Sequence, residues 1–224
     1  MHPTFKITAM DVRINIIETA GALFLKEGIK KVKMDDIARC MGISKRTIYE
    51  YFTNKDELIR SCLDYDIEKQ REENEKILRE SNNIVKTVIA FLAKGTEVLR
   101  AVNPLFFSDL RRLYPNIWRE KIELYNVNSY NIIKIMLDKG IEEGFYRNDI
   151  NVDIVACIII EQLNILSDEE VFPPEKFSLT EVFRNMVLTF TRGLATPEGI
   201  NLIDKHIGDE VVVEDKKKRQ VSAK

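Results

Sequence analysis

Histidine is nearly missing from this chain of 224 residues: there are two, His2 and His206, one near each end. No cluster of His, Cys, Asp and Glu at metal-ligand spacing can be read, and there is no Gly-rich phosphate loop, so catalysis has no evident seat and the chain is not expected to be an enzyme. No metal and no cofactor is expected. Cysteine is scarce too. Cys40, Cys62 and Cys157 are scattered, odd in number and form no CxxC pair, which speaks against a disulfide frame or a zinc site. Each falls in an apolar helical stripe, so all three are expected as buried free thiols in a reducing cytosol. The opening MHPTFKITAM lacks the apolar core of a secretory signal. The densest apolar run, IVACIII at 154–160, is far too short for a bilayer and is followed by Glu161 and Gln162. A cytoplasmic protein without membrane contact is the expectation. Alternating strand patterns and repeats of solenoid period are also absent.

What is present is helix, and charge unevenly spread. The apolar share of 45% is ordinary for a globular protein, and the net charge of −2 would argue against nucleic acid if taken over the whole molecule. Residues 1–56 nevertheless carry +3 and the remainder −5. A basic head on an acidic body suits contact with a polyanion through the head alone.

The stretch MDDIARCMGISKRTIYEYFTNKDEL, 34–58, organises that head. Met34, Ile37, Ala38 and Met41 are spaced as one face of a helix. Gly42 can end it in the left-handed conformation. Ile43 offers an apolar plug, and the Ser44 hydroxyl can cap a second helix, Ser44 to Glu50, that exposes Lys45, Arg46 and Thr47 and turns Ile48 inward. This is the order of a helix-turn-helix, whose second helix enters the DNA major groove by its N-terminal residues. Lys45 and Arg46 suit phosphates or guanine edges, and Thr47 a phosphate or a thymine methyl. The hydroxyls of Tyr49 and Tyr51 suit phosphates, as does Lys55 beside the exposed N–H groups of the next helix. Phe52 reads as core.

A preceding helix over about 10–27 carries Val12, Ile16, Ala20, Leu23 and Phe24 on one face and ends at Gly28. Beyond the head, a fourth helix is capped by Thr53 or Asn54 and runs to about 80, its polar part 68–76 solvated. A fifth, about 83–102, is apolar on two sides and is expected at the centre of a bundle. A short sixth helix follows Asn103-Pro104. The seventh, about 115–143, has Trp118, Ile122, Tyr125, Ile132, Ile133 and Met136 as its inner face and stops at Gly144. An eighth, about 152–170, and a ninth, about 178–194, flank Pro173-Pro174. The expected division is therefore a DNA-binding head at 1–56, a helical body at 57–205 and a charged, disordered tail at 206–224.

Taken together, Ile16 to Ala20, Leu23-Phe24, Gly28, Met34, Asp36-Ile37-Ala38, Gly42-Ile43-Ser44, Thr47-Ile48-Tyr49, Tyr51-Phe52, Lys55 and Leu58 resemble the tetracycline-repressor (TetR) family of bacterial regulators. The resemblance spans about a fifth of the chain. Weaker echoes lie in Gly140, Gly144-Phe145, Arg147 and Asp149-Ile150. It implies an all-α fold: a three-helix head on a helical-bundle body that dimerises and binds a small-molecule effector. It further implies a homodimer on a palindromic double-stranded operator, with heads spaced roughly 34 Å or more, and repression as the commoner mode. Two positions depart from the family pattern. Val32-Lys33 stands where Ser or Thr commonly starts helix two, which forgoes a cap worth roughly 1 kcal/mol, although Lys33 is then placed for a phosphate. Tyr51 stands where His is frequent and keeps a donor.

By the same resemblance, helices eight and nine form a four-helix bundle with their mates, through Ile154, Ile158, Val182, Met186 and Phe190. Helices four to eight line the effector pocket, with Phe91, Phe107, Trp118, Tyr125 and Cys157 as candidates among largely apolar walls. Arg111 and Arg112 could draw an anionic ligand to its mouth. The rival reading is a helical protein-interaction adaptor whose head no longer binds DNA; the intact Lys45-Arg46-Thr47-Tyr49 set speaks against it.

Overall fold

A computed structural model describes residues 9–166 and 168–205. Nine α-helices succeed one another within them: α1 (Ala9–Glu27), α2 (Met34–Met41), α3 (Lys45–Tyr51), α4 (Lys55–Glu80), α5 (Ile84–Ala101), α6 (Leu105–Leu113), α7 (Pro115–Glu142), α8 (Val152–Ile165) and α9 (Leu179–Leu194). A further short helix covers 197–205. The described residues hold no strand, only an isolated bridge between Tyr146 and Ala195. The tail at 206–224 and both histidines lie outside the described residues.

The head closes around Ile16, Ala20, Phe24, Ile37, Ile48 and Phe52, all within about 1% of full burial. Its core does not stop at residue 56. Leu58, Ile59 and Cys62 of α4, Val102, Phe106 and Leu110 around α6, and Ile117 of α7 belong to the same apolar cluster. The head and the adjoining turns of α4, α6 and α7 thus share one close-packed interior, and such interiors transmit displacement rather than absorb it. A second core joins Ile84, Val85 and Val88 of α5 to Leu137, Phe145, Ala156 and Leu194. A third gathers Leu92, Leu166, Val182 and Phe183. There α5 and α9 pass so closely that a Cβ on Gly95 would overlap the Phe183 ring.

Several expectations are corrected. Only Cys62 is buried; Cys40 and Cys157 are exposed, because Cys40 lies off the buried Met34–Ile37–Ala38 face of α2 and Cys157 shares the outward face of α8 with Ile154 and Ile158. α5 touches α4, α7 and α9, yet Lys86, Glu97, Val98 and Arg100 keep one side of it wet. The buried residues of α7 are Ile117, Lys121, Leu137 and Gly140, while all six expected inner residues are half-buried. That long helix serves the head core at one end and the second core at the other, so no single stripe runs inward throughout. Lys121 is tolerated inside because Asp64 (2.6 Å) and Glu120 (2.7 Å) pair with it. α8 ends five residues early, at Ile165. The Asp168 carboxylate accepts the Glu170 N–H at 2.9 Å and its carbonyl accepts those of Val171 and Phe172, a local turn that competes with helix.

Candidate nucleic-acid interface

The geometry of the head follows from four local devices. Lys33 occupies the N-cap of α2 without a side-chain cap, but Asp36 reaches back to accept its N–H at 2.9 Å, so half of a capping box survives. Gly42 sits at φ 68° and ends α2, with the Ile43 N–H bonded to the Ala38 carbonyl at 3.0 Å; that left-handed turn sets the angle between α2 and α3. Ser44 Oγ accepts the Thr47 N–H at 3.0 Å and lies 2.9 Å from the Thr47 hydroxyl. Asn54 caps α4 through the Glu57 N–H at 2.9 Å, and the Glu57 carboxylate in turn accepts the Thr53 N–H at 2.7 Å. Hydrogen bonding by the Thr53 side chain, and then by its N–H, holds the Glu57 carboxyl below its ordinary value.

On this frame α3 buries Ile48 and leaves Lys45, Arg46 and Tyr49 exposed, with Thr47 half-buried. Arg46 is the most open, its side chain 90% exposed with Glu50 at 3.6 Å. Lys45 is not free: its ammonium lies 2.8 Å from Asp35 across the turn, and that hydrogen bond and charge raise its pKa. Lys33 is exposed. Tyr51 rests its ring against the head core, so only part of it faces out.

Lys55 requires a correction. Its ammonium turns inward, donating to the carbonyls of Ile29 and Val32 at 2.6 Å each and lying 5.6 Å above the Phe24 ring. Burial lowers its pKa, with Asp109 and Asp56 opposing. It clamps the α1–α2 turn to α4 and is not a cation held out to phosphate. Two residues that sequence reasoning missed work beside it. Asp109 of α6 accepts the Lys30 N–H at 2.7 Å, and Asn103 takes up the Lys26 carbonyl at 3.1 Å, so α6 grips the end of α1. Neither these pairs nor Asp35–Lys45 has a spacing that a linear reading would single out.

The effector candidates are not drawn into one cavity. Phe107 and Trp118 lean on the head-side core, and Arg111 stacks 5.1 Å from the Trp118 ring while reaching Asp168 at 3.9 Å. Phe91 and Tyr125 are half-buried on α5 and α7; desolvation of the Tyr125 hydroxyl raises its pKa, and Ser129 opposes. Cys157, being exposed, is removed from the pocket set. A hollow of about 210 Å³ lies between Asn83, Val85, Glu143, Phe145 and Glu198, and a more open one of about 550 Å³ between Phe172, Phe177, Met186 and Phe190. None of the five candidates lines either. The second hollow adjoins the expected dimer face, where Ile154 is 58% and Ile158 44% exposed. Val182 is corrected: it is buried against Leu92 and Phe183, leaving little of it for a partner. Among the described residues no group of three metal-ligating side chains occurs, and no helix is long and apolar enough to cross a membrane.

A short capped helix that offers its first-turn side chains outward, set by a left-handed glycine against a buried partner helix, defines a DNA-binding regulator of the helix-turn-helix class. Residues 16–62 match the family model described as bacterial regulatory proteins, tetR family. Along most of its length the chain is similar to YvaF of Bacillus subtilis, an uncharacterised HTH-type transcriptional regulator. The identity is 24% over 166 residues, covering 74% of this chain and 86% of YvaF. It is likewise 27% identical over 154 residues to the HTH-type transcriptional repressor KstR2 of Mycobacterium tuberculosis, covering 66% and 75% of the two chains. The fold matches that of the transcriptional regulator FadR from Bacillus subtilis in complex with stearoyl-CoA. There the TM-score is 0.61 at 20% identity, covering 81% of this chain and 98% of that one. The head thus carries the DNA-binding region of the tetR family, and over most of its length the chain is similar to HTH-type transcriptional regulators.

Proposed function

We propose that the protein is a repressor that binds a palindromic operator as a homodimer and leaves it when a small molecule occupies the body. The observation that carries this is the outward array on α3, with Ile48 buried beneath it and Ser44 fixing its first turn. In this reading the head, 1–56, contacts DNA through Lys33, Lys45, Arg46, Thr47, Tyr49 and the hydroxyl of Tyr51, with Ser44 holding the helix that presents them. The body, 57–205, dimerises and receives the effector. Exposed Ile154 and Ile158 on α8, beside half-buried Met186 and Phe190 on α9, support an isologous interface, since a monomer rarely leaves such a patch open.

Release by a ligand follows if the ligand binds better to a body conformation whose heads no longer fit one operator, and the shift cannot exceed that difference in affinity. The shared core of α1, α4, α6 and α7 supplies a route. The test begins with selection of duplexes from a random-sequence library by the purified protein. A two-fold symmetric consensus bound by a dimer is expected; an asymmetric consensus bound by a monomer refutes the assembly, and no selection at all leaves the adaptor reading standing. Stearoyl-CoA, present in the FadR complex, is the first effector to titrate, and unchanged operator affinity would exclude it.

A further inference from the structure

The cations at the reading tip of the recognition helix do not stand alone. Lys45 and Arg46, the two cations of the first turn of α3, are each matched to a carboxylate: Asp35 of α2 at 2.8 Å and Glu50 of α3 at 3.6 Å. The two pairs differ. Glu50 is a neighbour at i,i+4 on the same exposed helix, and Arg46 keeps 90% of its side chain in solvent. Asp35 comes from the other helix, and its bond to Lys45 is short, with the partners 54% and 47% exposed.

We propose that Asp35 is a specificity-determining residue, which holds Lys45 away from phosphates and so suppresses binding to DNA of arbitrary sequence. The inference rests on the DNA-binding role of α3 argued above. Its physical basis is competition between anions. A phosphate bonded to the Lys45 ammonium at about 2.8 Å would stand roughly 6 Å from the Asp35 carboxylate. That separation is within the Debye length of about 8 Å at physiological salt, so the repulsion is not screened away. Lys45 must therefore either abandon Asp35 or share its charge, and in both cases the gain from the phosphate is reduced.

Contacts to phosphate act on every sequence alike, whereas contacts to base edges act only on the right one. On the selected duplex Lys45 turns to a neutral guanine edge, which the Asp35 charge does not repel, whereas on arbitrary sequence it meets only phosphate. The carboxylate therefore lowers non-specific affinity more than specific affinity and leaves the readout by Arg46 and Thr47 in place. Asp35 is well placed for this because its own backbone lies in the first turn of α2, whose positive dipole end stabilises its charge. Asp36 does not substitute: it is engaged by the Lys33 N–H and lies 3.4 Å from Arg39.

The experiment measures binding of the full chain to a random-sequence 30-base-pair duplex and to the duplex the wild-type protein selects, from about 50 to 200 mM salt. The near-isosteric Asp35→Asn is compared with Asp35→Asn/Lys45→Gln, and circular dichroism confirms that both fold. Recovery of one phosphate contact steepens the salt slope by about 0.9, so the advantage of Asp35→Asn on the random duplex grows about 3.5-fold on going from 200 to 50 mM. Affinity for the selected duplex should rise by less, so the ratio of the two affinities falls, and the double variant should lose the gain. Glu50→Gln should have a smaller effect, its pair being longer and open. Unchanged or weaker random-duplex binding by folded Asp35→Asn overturns the proposal, as does a gain that survives Lys45→Gln. If the wild-type protein itself shows no salt-dependent affinity for either duplex, the DNA-binding role of α3 fails first.

Discussion

Lys55→Met separates two roles that the same residue could play. In the structure the ammonium donates to two main-chain carbonyls, Ile29 and Val32, both at 2.6 Å, and sits over Phe24. Hydrogen bonds from a charged donor contribute about 1.5–3 kcal/mol each, and the ring adds about 0.5–1 kcal/mol. Against this stands the cost of drawing the ammonium into a half-buried position, seen in its lowered pKa. Methionine fills the stem and removes that cost, while water reaches part of the vacated carbonyls. A net loss of about 2–3 kcal/mol is expected, which for a chain of this size lowers Tm by about 5–10 °C. Urea unfolding followed by circular dichroism gives the loss directly, provided the slope with denaturant is unchanged. The salt slope of DNA binding should stay as in the wild type, because no phosphate contact disappears. A Tm within about 1 °C of wild type, together with a slope shallower by about 0.9, would refute the clamp and restore Lys55 to the DNA-facing surface.

Ser44→Ala removes the acceptor for the Thr47 N–H and should cost about 1 kcal/mol; unfolding curves check the stability, and gel-shift titration should show weaker operator binding as the first turn of α3 frays. Ile158→Glu places a carboxylate on the exposed apolar face of α8 and should convert a dimer to a monomer in analytical ultracentrifugation, with the helical signal retained; a persisting dimer would move the interface elsewhere. Glu57, whose carboxyl is held below the ordinary 4.5 by the Thr53 side chain and N–H, contributes stability that is present above that value and is lost as pH falls through its lowered folded value. Glu57→Gln should accordingly flatten the acid side of the stability profile, read as Tm between about pH 3 and 5, and leave the pH dependence above it unaltered.

The fold was legible where its determinants are local. The period of Met34, Ile37, Ala38 and Met41, the left-handed glycine at 42 and the serine at 44 lie within eleven residues, and each acts on its immediate neighbours. The same holds for Pro115 at the first turn of α7 and for the Asn54 cap of α4. Legibility declined with sequence separation. Cys157 and Val182 both sit in apolar stripes, and only packing shows that one faces solvent and the other faces α5. The end of α8 was missed because a side chain–backbone turn at Asp168 outcompeted a sequence that would tolerate more helix.

What the sequence determined by itself is the class: the helix-turn-helix, its order of caps and turns, and the set of side chains offered on α3. Those features depend on interactions between residues three or four positions apart, so composition and spacing suffice to state them. Tertiary structure alone decided how those side chains are used. It turned Lys55 from the surface to the carbonyls of Ile29 and Val32, set Asp35 against Lys45 from ten residues away, and let α6 grip the end of α1 through Asp109 and Asn103. An ammonium looks alike in any sequence. Whether it meets a carbonyl, a carboxylate or a phosphate depends on which elements the completed core brings within about 3 Å of it.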